Sequence, residues 1–239
     1  MAIKQQKIAA GHFILVNTHF FESADERVFS PEYWQEKKAI TGQARGRGTT
    51  LFIQPDVPQQ WVLRHYRRGG LPGKLFSDQF VYTGLPRTRP FMELNLLHTM
   101  REAGLRVPEP IAAQVIRRGL IYRADLLSVR IPDAQDMHHV LSLGPAGEAV
   151  WLAVGRQIRQ MHDLNVYHHD LNIRNIMLDA QQQVWIIDFD RCYQRANGNW
   201  KPQNLARLHR SLVKESGRSP SFFWTEQDWA ALKAGYHQD

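Results

Sequence analysis

Two neighbouring segments decide the fold of this 239-residue chain: Tyr167-His168-His169-Asp170-Leu171-Asn172-Ile173-Arg174-Asn175-Ile176-Met177-Leu178 and, after five intervening residues, Val184-Trp185-Ile186-Ile187-Asp188-Phe189-Asp190. The first contains the pattern His-x-Asp-x₄-Asn in His168, Asp170 and Asn175. The second ends an apolar run on Asp188, thirteen residues past Asn175. Each of these side chains alone would be an ordinary solvated loop residue. The helical pattern before them and the two short strand-like runs between them favour one shared function instead.

The spacing of these residues resembles the catalytic and metal-binding loops of the protein-kinase-like fold. A phosphoryl donor brings several negative charges, so Mg²⁺ is held by hard oxygen ligands from two facing segments. We expect Asn175 to supply an amide oxygen and Asp188 a carboxylate. Asp170 is predicted to orient the acceptor hydroxyl and take its proton, and His168 to brace the loop through the backbone near Asp188. The predicted cofactors are therefore ATP and Mg²⁺.

The N-terminal half predicts an antiparallel meander with one main helix. Its helix begins at Pro90, runs to about Ala103 and stops at Gly104. Turns rich in glycine and proline separate the strand-like runs, which are residues 13–16, 40–41, 49–53, 60–66, 111–116 and 120–127. From Pro145 the pattern is mainly helical. We expect an α+β, protein-kinase-like two-lobed fold with an N-lobe of residues 1–128 and a small C-lobe of residues 129–239. The adenine of ATP is expected against residues 128–131.

Capping residues mark the ends of two further helices. Ser30 before Pro31 predicts an N-cap followed by the first helical residue, where a missing N–H is harmless. Thr225 with Asp228 three residues on predicts a capping box at the start of the last helix, and Gly235 predicts its end.

Residues of the N-terminal half supply candidate contacts to the nucleotide. Gly42, Gly46 and Gly48 lie between two candidate strands, where backbone amides without side chains can approach phosphate oxygens. Glu93 lies on the main helix, where a kinase-like fold places the acid that anchors the phosphate-contacting cation.

Two positions depart from the kinase pattern. No lysine occurs in residues 54–73, so Arg64 is the predicted cation, although its planar fork is not equivalent to an ammonium group. Asp190 stands where kinases usually have glycine, which places one more carboxylate near the metals.

Composition excludes several classes of protein. The chain carries 30 Lys+Arg and 23 Asp+Glu, a formal charge of +7, and 43% of its residues are hydrophobic, as in ordinary globular proteins. Its longest apolar runs fall far short of the roughly 20 residues that a membrane-spanning helix needs. The first residues do not form a secretory leader, and the single cysteine, Cys192, agrees with a reducing cytosol. We therefore expect a cytoplasmic protein attracted to anionic partners.

The distribution of basic residues suggests an anionic acceptor. Only 49 residues follow Asp190, too few for the segments with which protein kinases dock a peptide, so a small or lipid-linked acceptor is favoured. Arg67 and Arg68, next to two glycines, would suit carboxylates, phosphates or an anionic membrane surface. A second basic group (Arg207, Arg210 and Lys214) shares one face of a helix and is equally well explained as a solvated face.

Four segments together resemble the bacterial 3-deoxy-D-manno-octulosonic acid (Kdo) kinases of lipopolysaccharide core assembly. These segments are residues 64–70, 122–127, 168–172 and 187–190. The resemblance implies ATP-dependent phosphorylation of the 4-hydroxyl of Kdo attached to a lipid A precursor. It also implies peripheral binding to the anionic cytoplasmic face of the inner membrane. No nucleic-acid partner is expected.

Two alternatives remain open. One is another kinase-like phosphotransferase that acts on a heptose, an aminoglycoside or a similar small molecule. The other is a basic pseudokinase or nucleic-acid-binding module, for which the missing lysine and the positive charge argue.

Overall fold

The computed structural model describes residues 2–45, 49–68, 77–196 and 198–238. These residues form two compact units. The sheet unit comprises Met1–His98 with Glu109–Arg130, and the helical unit comprises Thr99–Pro108 with Ile131–Asp239. The predicted α+β class is confirmed: an antiparallel sheet with one main helix precedes a mainly helical region. The single division predicted after residue 128 stays a prediction. The two units of the structure place Thr99–Pro108 with the helical part.

The sheet unit is built around one antiparallel sheet. Its strands are β1 (Ile3–Ala9), β2 (His12–Asn17), β3 (Ile40–Arg45), β4 (Thr49–Ile53), β5 (Trp61–His65), β6 (Phe80–Val81), β7 (Pro110–Arg118) and β8 (Ile121–Val129). The strand order is β1-β2-β7-β8-β5-β4-β3, and β6 pairs with β8. The sequence did not predict β1, because most of its residues are polar and exposed at the sheet edge. It has no apolar alternation to detect.

The first helix and the strands around it enclose the core of the sheet unit. Helix α1 (Pro31–Glu36) begins as predicted, since the Ser30 hydroxyl accepts a hydrogen bond from the Tyr33 amide at 3.3 Å. Its Trp34 is buried and donates from Nε1 to the Val28 carbonyl at 2.8 Å. The ring of Trp34 also meets that of Trp61 edge to face at 5.9 Å. Burying large aromatic rings in this way supplies much of the stability of such a core.

The main helix of the N-terminal half is α2 (Arg89–Glu102). Phe91, Leu94, Leu97 and Met100 recur at helical spacing and are all buried, which explains why this segment is a helix. Gly104 ends it as predicted, with a φ of 80° that side chains disfavour.

The helical unit contains four helices and five short strands among its described residues. The helices are α3 (Met137–Leu143), α4 (Glu148–Asp163), α5 (Trp200–Ser216) and α6 (Glu226–His237). The strands are β9 (Gln135–Asp136), β10 (Val166–Tyr167), β11 (Ile176–Leu178), β12 (Val184–Ile186) and β13 (Tyr193–Gln194). Strands β12, β11 and β9 pair in that order, and β10 pairs with β13. The two small sheets hold the segment that carries the motif residues.

The predicted end of α6 is wrong, although its predicted capping box is present. Gly235 lies inside the helix, which continues to His237. A Cβ atom at Gly235 would stand 2.1 Å from the Leu152 carbonyl oxygen, and one at Gly155 would stand 2.1 Å from the Leu232 carbonyl oxygen. Both glycines therefore allow the backbones of α4 and α6 to touch. Sequence rules give a late glycine to a helix end, and here close packing explains it instead.

Among the described residues, no helix is both long enough and apolar enough to span a bilayer.

Candidate active site

His168 connects the two motif segments through the backbone. It is completely buried, and its Nδ1 accepts a hydrogen bond from the Asp170 amide at 3.2 Å. Its proton therefore lies on Nε2, which donates to the Ile187 carbonyl at 3.0 Å. Burial lowers the pKa of His168, so the ring is neutral. A neutral imidazole thus fixes the backbone of Asp170 relative to the residue that precedes Asp188.

A β-hairpin brings Asn175 and Asp188 to the same end of a small sheet. Asn175 immediately precedes β11 and Asp188 follows β12, and Ile176 pairs with Ile186 in the antiparallel register. The Ile187 amide also donates to the Asn175 carbonyl at 2.9 Å. The Asn175 side chain donates from Nδ2 to the Asp170 carbonyl at 2.9 Å. Its nitrogen is therefore engaged by the loop, and its oxygen is the atom that suits a hard cation.

The backbone of Asp188 adopts a left-handed conformation, with a φ of 63°. Such a conformation costs a non-glycine residue about 1 to 3 kcal/mol, and it clusters at functional sites. The next residue, Phe189, compensates by burying its ring against His168 at a centroid distance of 4.9 Å. As a result Asp188 is exposed, whereas the ring of Phe189 is buried and holds this part of the backbone in place. Nothing in the sequence spacing predicts this strain.

The carboxylate of Asp170 is paired with Arg207 of α5. Both Nε and a terminal nitrogen of Arg207 donate to Oδ1 of Asp170. Burial of the carboxyl raises its pKa, but the hydrogen bonds and charge of Arg207 outweigh that effect, so the pKa of Asp170 lies below its ordinary value. Asp170 is therefore a carboxylate at neutral pH. Sequence analysis placed Arg207 on a basic helix face without connecting it to Asp170.

A buried polar chain behind the loop was also missed by the sequence analysis. Asn204 of α5 donates from Nδ2 to the His168 carbonyl at 2.7 Å. Its oxygen accepts from Nε2 of His162 at 3.1 Å, and the Tyr236 hydroxyl donates to Nδ1 of His162 at 2.8 Å. Burial lowers the pKa of His162 to about 4. These hydrogen bonds link helices α4, α5 and α6 to the loop that carries His168. Residues so far apart in sequence give no spacing signal.

In the sheet unit, Arg64 and Glu93 form an ion pair. Glu93 of α2 is only 3% exposed, and it accepts hydrogen bonds from the Arg64 guanidinium on β5 and from the Tyr66 hydroxyl. The guanidinium also lies 4.7 Å above the Tyr66 ring. A buried carboxylate needs such compensation. The predicted partner of Glu93 is therefore in contact with it, whereas the contribution of Tyr66 was not predicted.

The structure describes some, but not all, of the remaining residues of the sheet unit that were predicted to contact the nucleotide or the acceptor. Gly42 lies within β3 rather than in a loop, because that strand runs to Arg45. A Cβ at Gly42 would stand 3.3 Å from the Phe52 ring. Gly46 and Gly48 lie outside the described residues. Arg67 is exposed, and the Arg68 guanidinium lies 5.4 Å from the centre of the Phe80 ring.

A family model for the lipopolysaccharide kinases (Kdo/WaaP) matches residues 31–236. The chain belongs to the lipopolysaccharide kinase (Kdo/WaaP) family. Among curated proteins it is 45% identical to a 3-deoxy-D-manno-octulosonic acid kinase of Vibrio parahaemolyticus, over 95% of each chain. It is 46% identical to the kinase of that name from Vibrio cholerae, over 88% of each chain. The one from Haemophilus influenzae is 44% identical over 95% of this chain and 96% of the relative.

Among solved structures, the chain resembles the kinase PK-1 of Cydia pomonella granulovirus. That match has a TM-score of 0.46 at 13% identity and covers 68% of this chain and 55% of the viral chain.

The described residues around Asn175 and Asp188 do not by themselves form a complete metal-binding site. Among the described residues, no group of three or more His, Cys, Asp or Glu side chains is placed to hold a metal ion. Asn175 and Asp188 offer one amide oxygen and one carboxylate, which are hard donors of the kind that Mg²⁺ prefers when phosphate oxygens complete its coordination. The donor set therefore fits a cation that arrives with a nucleotide. Asp190, next to the anchoring Phe189, is partly buried.

Proposed function

We propose that this chain is an ATP-dependent sugar kinase that phosphorylates the 4-hydroxyl of Kdo attached to a lipid A precursor. Membership of a kinase family implies ATP as the phosphoryl donor. The acceptor is inferred from curated Kdo kinases that are 44–46% identical over most of the chain. The observation that carries the proposal is the grouping of Asp170, Asn175 and Asp188 around His168 in such a chain.

Asp170 is the proposed catalytic residue. Its carboxylate would orient the acceptor hydroxyl, whose oxygen attacks the γ-phosphorus of ATP while the bond to the bridging oxygen of ADP breaks. The hydroxyl proton passes to Asp170. Because its pKa is low, Asp170 is a weak base, so it acts chiefly by positioning and takes the proton late. Phosphoryl transfer depends mainly on such positioning and on charge neutralisation.

Asn175 and Asp188 are the proposed ligands of Mg²⁺. When bound, the ion would neutralise the charge of the phosphate chain and of the leaving group. The hairpin fixes the backbone on either side of both ligands, and the buried Phe189 anchors the strained Asp188. The protein thus holds both oxygen donors at one end of a small sheet.

The sheet unit is proposed to contact the nucleotide. Arg64 takes the place of the usual lysine, and Glu93 and Tyr66 hold its guanidinium in place. A guanidinium binds phosphate oxygens in pairs, whereas an ammonium acts as a point charge. Gly42, Gly46 and Gly48 are proposed to leave space for the phosphates.

Arg67, Arg68 and the net charge of +7 are proposed to favour an anionic acceptor at the membrane. We infer peripheral binding at the cytoplasmic face of the inner membrane, where each basic residue near anionic lipid is worth about 1 kcal/mol.

A transfer assay with the purified chain tests the function. The reaction contains labelled ATP, Mg²⁺ and a Kdo-bearing lipid A precursor, and NMR of the product locates the phosphate. We expect label on the 4-hydroxyl of Kdo, and a rate of labelling lower by about 10³-fold with the Asp170→Asn variant. Transfer to a heptose or an aminoglycoside but not to Kdo would contradict the acceptor. Steep salt-dependent binding to nucleic acid, with no ATP consumption on any acceptor, would contradict the enzyme.

A further inference from the structure

A basic pocket lies beside the carboxylate of Asp170, within the helical unit. It has a volume of about 430 Å³ and is lined by Asp170 together with Arg207, Arg210 and Lys214 of α5. These three cations follow one another at spacings of three and four residues, so they project from one face of the helix. We call this pocket the α5 pocket.

The charges that line the α5 pocket do not cancel. Arg174 and Arg218 add two cations to the three from α5, and Asp170 and Glu215 contribute two carboxylates, so the sum is 5 − 2 = +3. Glu215 accepts from Arg218 at 3.0 Å and from Arg174 at 3.4 Å. Those two cations therefore already share one carboxylate.

Arg210 and Lys214 are the uncompensated cations of the α5 pocket. Arg207 is engaged with Asp170, whereas neither Arg210 nor Lys214 forms an ion pair with any residue that the structure describes. Both side chains belong to exposed residues, and they lie four positions apart on the helix. Like charges at that spacing repel each other. An anion bound between them would remove the repulsion, so the arrangement favours a ligand over a purely structural role.

We propose that the α5 pocket binds an oxyanion of the acceptor and thereby presents the neighbouring hydroxyl to Asp170. This inference rests on the proposed function. The acceptor offers such groups in the carboxylate of the sugar acid and in phosphates of the lipid to which it is linked. An anion held by Arg210 and Lys214 lies in the same pocket as the Asp170 carboxylate, so the acceptor is held at two points instead of one. Such anchoring converts binding energy into orientation of the reacting hydroxyl.

Arg207 contributes to the α5 pocket as a positioning residue. Its guanidinium contacts Asp170 and stands on the same helix face as Arg210, which lies three residues further on. It therefore holds the carboxylate at the edge of the site where the oxyanion binds. Arg67 and Arg68 of the sheet unit were the acceptor contacts expected from sequence, and the α5 pocket of the helical unit is a further candidate for the same chemical class.

The test is the double variant Arg210→Ala/Lys214→Ala, with Lys4→Ala/Lys7→Ala on β1 as the control that removes the same charge. We expect the KM for the Kdo-bearing acceptor to rise about tenfold or more in the pocket variant, because hydrogen bonds to charged groups are worth at least that factor. The KM for ATP should stay the same. The melting temperature should not fall, since the double variant removes the repulsion between Arg210 and Lys214. The control should match wild type. An unchanged acceptor KM in the pocket variant would overturn the proposal.

Two modified acceptors identify which oxyanion the α5 pocket binds. One carries the sugar carboxylate as a methyl ester, and the other lacks the lipid phosphates. Wild type should lose affinity for the acceptor that lacks the bound group, and on that acceptor the pocket variant should show no further loss. If the pocket variant loses acceptor affinity by the same factor on both modified acceptors, the assignment of the bound oxyanion is contradicted. If wild type transfers phosphate to Kdo and the pocket variant has the same acceptor KM, only this inference fails. If wild type transfers no phosphate to Kdo, the proposed function fails as well.

Discussion

The helical unit and the sheet unit each hold candidate site residues, and each does so by a different kind of interaction. In the helical unit, Asp170, Asn175 and Asp188 are fixed through their backbones, by buried His168 and by the β11–β12 hairpin. In the sheet unit, Arg64 and Glu93 are fixed by direct contact between their charged side chains. Backbone bracing depends on short-range spacing, so it can be detected in the sequence. A side-chain pair across 29 residues depends on the folded sheet and helix.

The largest effect is expected when a substitution removes the charge of Asp170. Asp170→Asn keeps the shape of the side chain but cannot accept the hydroxyl proton, so kcat should fall about 10³-fold, within the range attributed to general bases. The affinity for ATP should change little, because the backbone bracing is retained. Steady-state kinetics and nucleotide titration measure the two quantities. Turnover close to wild type would remove Asp170 from its proposed role.

The next effect concerns the pH dependence of the helical unit, through His162. Its pKa in the folded state is about 4, below the ordinary value of 6.5. Below pH 6.5 the unfolded chain therefore binds a proton that the folded chain refuses, and stability is lost as the pH falls from 6.5 toward 4. At pH 4.5 this amounts to about 2 to 3 kcal/mol relative to pH 7.5.

Denaturant unfolding of wild type and of His162→Gln at both pH values checks this prediction. Other titrating groups act on both proteins, so the difference between them isolates His162. Wild type should lose more stability on acidification than the variant does. Equal losses would show that the polar chain behind the loop does not depend on a neutral His162.

A smaller effect is expected from the proposed metal ligand. Asp188→Asn should weaken Mg²⁺-dependent nucleotide binding by about 10- to 100-fold, because a neutral amide is a poorer ligand for a divalent cation than a carboxylate. Binding of nucleotide without Mg²⁺ should not change. Titration with and without the ion separates the two. An unchanged affinity in the presence of Mg²⁺ would exclude Asp188 as its ligand.

The smallest effect tests the side-chain pairing of the sheet unit. Arg64→Lys keeps the positive charge but loses the planar fork that meets both Glu93 and Tyr66. We expect kcat/KM for ATP to fall by a factor of about ten or less. Since the charge is retained, Arg64→Met is the matched control and should lose considerably more. A fully active Arg64→Met variant would remove Arg64 from the phosphate site.

The sequence predicted the elements whose signals are local. The spacing from His168 to Asp188 predicted two linked segments, and the β11–β12 hairpin joins them at the backbone of Asn175 and Ile187. Apolar periodicity predicted α2, and Ser30 predicted the start of α1. In each case the deciding interactions join residues close together in the chain. The chemical roles of the site residues stay predictions for the experiments above.

The sequence did not predict features that depend on tertiary neighbours. Arg207 reaches Asp170 from 37 residues away, and Tyr66 joins the Arg64–Glu93 pair only because β5 and α2 pack together. The interior position of Gly235 depends on a second helix that no local rule considers. Basic residues on a helix look alike in sequence whether they face solvent or a carboxylate.

The contact between Gly155 and Gly235 gives the last helix an importance that its distance in sequence from the motif conceals. Tyr236 follows Gly235 directly, and its hydroxyl reaches His162, which in turn holds Asn204 beneath the carbonyl of His168. A methyl group at either glycine would force the backbones of α4 and α6 apart. The close approach of α4 and α6 at these two glycines therefore supports a series of hydrogen bonds that ends at the carbonyl of His168.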